Sequence, residues 1–142
     1  MYKDILLPVD LDQESSWQKA LPVCVEYCRA FGARLHVMTV VPSFRSPLVG
    51  SFFPADFEER AREGARQHLH EFATRQVPEE VHVQHIVGEG TVYEEIIRVS
   101  NEIDADLIVM ARGRVDLTDY LLGPNAERVA RHTERSILIV QS

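Results

Sequence analysis

Leu107-Ile108-Val109-Met110 is apolar at every position, with Asp106 before it and Ala111-Arg112-Gly113 after it. A run this short, with no polar alternation and a glycine-containing turn at its end, reads as a strand buried on both faces, the kind found where helices cover both sides of a parallel sheet. Working outward, four further runs share its character. Residues 5–9 are apolar and end in Pro8-Val9-Asp10, and residues 35–41 form a β-rich run closed by Pro42. Residues 81–87 alternate at first and then turn apolar, and Ile137-Leu138-Ile139-Val140 lies near the end of the chain.

The intervening segments carry helical spacing. Trp17, Ala20, Leu21, Cys24, Tyr27, Cys28 and Phe31 fall on one face and stop at Gly32, where a C-cap glycine belongs. Pro22 lies inside that pattern, which predicts either a kink or a late helix start. Phe57, Ala61, Ala65, Leu69, Phe72 and Ala73 mark a second helix. Thr91-Val92-Tyr93-Glu94 has the form of a capping box ahead of a third, and Pro124 suits the first position of a fourth. Five strands alternating with four helices predict an α/β protein: a single doubly wound, Rossmann-like open sheet of five parallel strands with right-handed crossovers. Ligands in such sheets bind beyond the carboxyl ends of the strands, where the strand order reverses. That rule points to Pro8, Val9, Asp10, Val40, the Gly88-Glu89-Gly90 turn and residues 111–125.

Composition narrows the function classes. The 142 residues are 45% hydrophobic and 26% charged, which excludes a disordered chain, a collagen-like repeat and a disulfide scaffold. At this length one core buries roughly two-thirds of the unfolded chain's surface, so a single domain over residues 1–142 is expected. Twenty-two acidic against 15 basic residues leave a net charge of −7. Nucleic acid and anionic membranes are therefore not expected partners. Apolar stretches such as residues 106–111 are far short of the roughly 20 residues that span a bilayer, and residues 1–4 lead into the first strand without a signal-peptide pattern. A cytoplasmic location is expected.

The segment from Met110 to Asn125 is the strongest candidate for chemistry. It leaves a strand through a basic, glycine-containing turn and enters a helix through Gly123 and Pro124. Glycines let backbone amides approach a phosphate, a helix N-terminus adds N–H groups, and Arg112 and Arg114 could pair with phosphate oxygens. The same spacing is equally compatible with Gly113 and Gly123 as turn formers and the arginines as a solvated loop. Asp10 is likewise open between a ligand contact and a turn acid.

Here the chain resembles the universal stress protein family over essentially its whole length. Residues 2–10 match the family's opening, residues 106–110 its fourth strand, and residues 126–132 with 136–140 its ending. Residues 116–126 are most similar to the F/G-type bacterial members, which are related to the ATP-binding branch. The resemblance implies a homodimer paired through the C-terminal strand, and it implies ATP, alone or with Mg2+, as the ligand of a cytoplasmic stress-response or signalling protein. Adenine would lie beside Val9 and Val40 and the phosphates along Ala111, Arg112, Gly113, Arg114, Gly123, Pro124 and Asn125, with Pro8, Asp10 and Met110 as further binding residues.

Two positions depart from the ATP-binding pattern of glycine, two residues, glycine, nine residues, glycine and serine or threonine. Ala111 stands for a glycine, and Pro124 for the hydroxyl residue that would offer both an N–H and an O–H. A second reading follows from those departures: an interaction module of the same fold without nucleotide affinity. An enzyme is not expected, since no Gly-x-x-x-x-Gly-Lys loop, Gly-x-Ser-x-Gly elbow or His-Glu-x-x-His pair is present. Metal binding is not expected either. Cys24 and Cys28 read as buried thiols, His68 and His70 face different ways on one helix, and His82 and His85 fall on opposite strand faces.

Overall fold

A computed structural model of the chain describes residues 1–43, 56–113 and 123–141. Among these residues, five strands form one parallel sheet: β1 (Asp4–Pro8), β2 (Arg34–Val41), β3 (Val83–Glu89), β4 (Leu107–Ala111) and β5 (Ser136–Val140). Four α-helices connect them: α1 (Ala20–Phe31), α2 (Phe57–Gln76), α3 (Val92–Glu102) and α4 (Pro124–His132). The strand order is β3-β2-β1-β4-β5, so the chain winds outward through β2 and β3 and then returns to lay β4 and β5 on the other side of β1. This is the doubly wound sheet that the run pattern predicts.

Strand residues alternate between two cores. Ile5, Leu7, Leu35, Val37 and Val109 pack with Leu21, Cys24 and Cys28 of α1 and with Leu69, Phe72 and Ala73 of α2. On the opposite face Leu6, Met38, Ile108 and Met110 meet Ile96 and Val99 of α3 and Ala126 and Val129 of α4. Both faces of β1 and β4 are covered, which is why these strands read as unbroken apolar runs. Burial pushes the Cys28 thiol up to about 11 and the Cys24 thiol higher still, so both behave as small apolar groups.

Pro22 resolves as a late start. A 3₁₀ turn at Glu14–Ser16 precedes α1, whose first residue is Ala20. Pro22 then sits in the first turn, where no intrahelical acceptor is available for an amide. Trp17, left outside the helix, packs edge-on against Phe72 of α2 with ring centroids 4.9 Å apart. Gly32 closes α1 in the left-handed region at φ +64°. The capping box at α3 does not form. Thr91 occupies the N-cap position without a side-chain cap bond, and Glu95, one residue beyond the expected Glu94, accepts the Glu89 N–H at 2.9 Å.

The amino-terminal edge of β4 is tied to β1 by Asp106. One carboxylate oxygen accepts the backbone N–H groups of Lys3 at 2.8 Å and Asp4 at 2.9 Å, which hold the carboxyl below its usual range. A depressed carboxylate stabilises the fold above its unfolded-state value and loses that contribution as pH falls through the folded one. Asp106→Asn is therefore expected to cost about 1 kcal/mol or less at neutral pH, given the group's exposure, and to flatten the loss of stability between about pH 5 and pH 2. Urea midpoints measured across that range check it. An unchanged acid limb in the variant would assign the pH dependence to other carboxylates.

Candidate functional site

β1 and β4 flank the point where the strand order reverses, and beyond their carboxyl ends lies a cleft of about 490 Å3. Val9, Met38, Val40, Ile96 and Met110 give it an apolar floor. Asp10, Gln13, Ser15, Thr39 and Asn125 supply polar groups, and Gly113, Gly123 and the start of α4 close one side. Asp10 is the one ionisable side chain among the described lining residues.

The approach from β1 is shaped by a turn. The Asp10 carboxylate accepts the Asp12 N–H at 3.0 Å, and the Ser16 hydroxyl accepts the Asp10 N–H at 2.8 Å while facing the carbonyls of Asp10 and Gln13 at 3.0 and 2.8 Å. Asp10 is thus a turn acid by its bonds and a cleft residue by its position. Ser16 holds the turn that presents Gln13 and Ser15 to the cleft. The serine and glutamine side chains escaped the sequence reading because they contribute through a 3₁₀ turn with no apolar periodicity to flag it.

The approach from β4 is built on two glycines in contact. Gly113 adopts φ +83°, and a Cβ placed on it would lie 3.3 Å from the Gly123 Cα. The Gly123 N–H donates to the Arg112 carbonyl at 2.8 Å. That amide is engaged within the protein, and the cleft-lining residues of α4 that keep an amide are Asn125 and Ala126, which fall in the first helical turn, where no intrahelical carbonyl is available. Pro124 lines the cleft and has no N–H to add.

Of the residues singled out from the sequence, Pro8, Val9, Asp10, Val40, Met110, Ala111, Gly113, Gly123, Pro124 and Asn125 all line this one cleft. Arg112 does not: its backbone N–H donates to Val140 at 2.7 Å and its guanidinium to Gln141 at 3.2 Å, which places it toward β5. Arg114 and residues 116–122 of the connecting segment lie outside the described residues. Besides Gln13, Ser15 and Ser16, the cleft also includes Met38, Thr39, Val92, Ile96 and Ala126.

A doubly wound parallel α/β protein with a ligand-sized cleft at the strand-order reversal is the class that this geometry defines. Comparison with known proteins narrows it. The universal stress protein family profile matches residues 1–141, and the chain belongs to that family. Universal stress protein G of Escherichia coli O157:H7 is 28% identical over 144 residues, spanning 99% of this chain and all of the relative. A crystal structure of a universal stress protein family member from Burkholderia pseudomallei superposes with a TM-score of 0.73 at 27% identity, covering 99% of this chain and 97% of the other. A universal stress protein crystallised in complex with cAMP shares the fold, with a TM-score of 0.70 at 21% identity over 99% of this chain and 97% of its own. Among the described residues no helix is long and apolar enough to cross a membrane.

Proposed function

We propose that the chain is a nucleotide-binding universal stress protein that takes ATP in the β1/β4 cleft and acts as a cytoplasmic homodimer in a stress-response or signalling role. The observation that carries this reading is the convergence of an apolar floor with the first turn of α4 at the strand-order reversal. An apolar floor suits a heterocyclic base. Backbone N–H groups and the positive end of a helix suit phosphate oxygens. Family membership and the cAMP complex of a structural neighbour support a nucleotide as the class of ligand. Bound ATP would serve as a ligand whose presence alters what the protein contacts; this chain's residues bind and orient it. The Ser16 hydroxyl is occupied in the turn with the Asp10 backbone, and binding rather than turnover is the role inferred.

Mass spectrometry of the purified protein for carried-over nucleotide, followed by calorimetric titration with ATP, tests the reading. Pro124→Ser is expected to tighten binding about tenfold or more, because it restores an amide and a hydroxyl, and a hydrogen bond to a charged group is worth roughly 1.5–3 kcal/mol. Equal affinity in the variant would place the phosphates away from α4.

One observation favours a second reading, an interaction module without nucleotide. The Gly123 amide is spent on Arg112 and Pro124 has none, so the phosphate side of the cleft is short of donors, while Ala111 adds a Cβ where the ATP-binding pattern has a glycine. Absence of ATP binding at millimolar nucleotide would make this the better account.

A further inference from the structure

His70 and His85 are brought together by the fold. His70 lies on the outer part of α2 and His85 on the α2-facing side of β3, an edge strand of the sheet, and their ring centroids are 5.3 Å apart with planes inclined at 58°. Both side chains belong to exposed residues. The pair is remote from the β1/β4 cleft, to which neither α2 nor β3 contributes a lining residue.

We propose that His70 and His85 form a two-imidazole site for a divalent transition-metal cation of the zinc class. The separation is the one such a chelate requires. With metal–nitrogen bonds of about 2.0–2.1 Å, two imidazoles set at a tetrahedral angle around one ion have ring centroids about 5.2 Å apart. Water fills the remaining coordination positions, which the exposure of the pair allows. Imidazole binds metal in its neutral form, the form the ring takes above the ordinary histidine range. The net charge of −7 favours approach of a cation. A bound ion would fasten α2 to a strand that, among the described residues, has a partner on one side alone.

The test uses the full chain without an affinity tag and zinc chloride as the sole added metal. Calorimetry is expected to show one zinc per chain in the micromolar range, and imidazole NMR signals of His70 and His85 are expected to shift together. His70→Ala and His85→Ala should each weaken binding at least tenfold, because the second ligand would no longer be held in place beside the first. His68→Ala, on the same helix two positions away, should bind as the unaltered chain does. Unchanged titrations in both His70→Ala and His85→Ala, or in either one alone, would overturn the proposal. So would zinc-induced shifts confined to the other histidines in the unaltered protein, a measurement that does not depend on either variant folding.

Discussion

Gly113→Val is expected to remove detectable nucleotide binding and to lower stability by about 1–3 kcal/mol. The backbone at Gly113 has φ +83°, which a β-branched side chain adopts only under strain. The added Cβ would also lie 3.3 Å from the Gly123 Cα, and that contact is to backbone, so no flexible side chain can swing aside. Relieving it means moving Gly123 outward. The Gly123 N–H bond to Arg112 at 2.8 Å would then be lost, and with it the placement of the first turn of α4, whose Asn125 and Ala126 line the cleft. Urea unfolding and ATP titration report the two effects separately. Gly113→Ala should fall between the variant and the native chain, since it bears the backbone strain with a smaller clash. A Gly113→Val protein with a native midpoint would show that the turn relaxes freely, and one with native stability and native ATP affinity would put the phosphates elsewhere.

Ile139→Lys is expected to convert the proposed dimer into a monomer, with sedimentation mass falling from twice 16.2 kDa to 16.2 kDa. Among the described residues β5 is the last strand of the sheet and pairs with β4 alone. Its residues 137–140 are apolar and only half-buried, Ile137 and Ile139 leaning on the α3/α4 core and Leu138 and Val140 on the other. An apolar edge with unpaired backbone groups invites strand pairing, and a two-fold axis lets two copies cover each other. The opposite edge, β3, differs: Gln84 and His85 are exposed along it. A lysine on β5 places a charge where the second copy would sit. Because Ile139 also touches the core, thermal melting of the same sample is needed, and Ser136→Lys adds charge to the same edge from an exposed position. A native chain that sediments as a monomer at micromolar concentration, or an Ile139→Lys protein that remains a dimer, would refute the assembly.

Much of the architecture was legible because each strand is short, apolar and bounded by turn residues. Residues 107–110 needed no partner to be read as buried on both faces, since nothing in a half-exposed strand would keep every position apolar. Gly32 and Pro124 likewise act locally, through φ freedom and a fixed φ, and both occupy the expected positions at the end of α1 and the start of α4. The Thr91 capping box did not form although its spacing is present, because the motif specifies spacing alone, whereas the bond depends on the conformation of the incoming turn; the carboxylate that meets that turn is Glu95, on the Glu89 N–H.

The sequence by itself determined the fold class, the family and the strand ends at which the cleft lies, because hydrophobic period, turn chemistry and motif order are properties of neighbours along the chain. Three things were decided by tertiary structure alone. The engagement of the Gly123 amide with Arg112, and the turning of Arg112 toward Gln141, depend on how the segment after β4 packs against β5. The burial of His36, with its Nε2 2.9 Å from an Asp4 carboxylate oxygen, depends on parallel pairing of strands 30 residues apart in register Asp4 to Arg34. The meeting of His70 with His85 depends on α2 lying across β3. Spacing along the chain carries no information about such encounters, since a connection of any length can bring two elements together, and only the buried faces that dock them set which side chains meet.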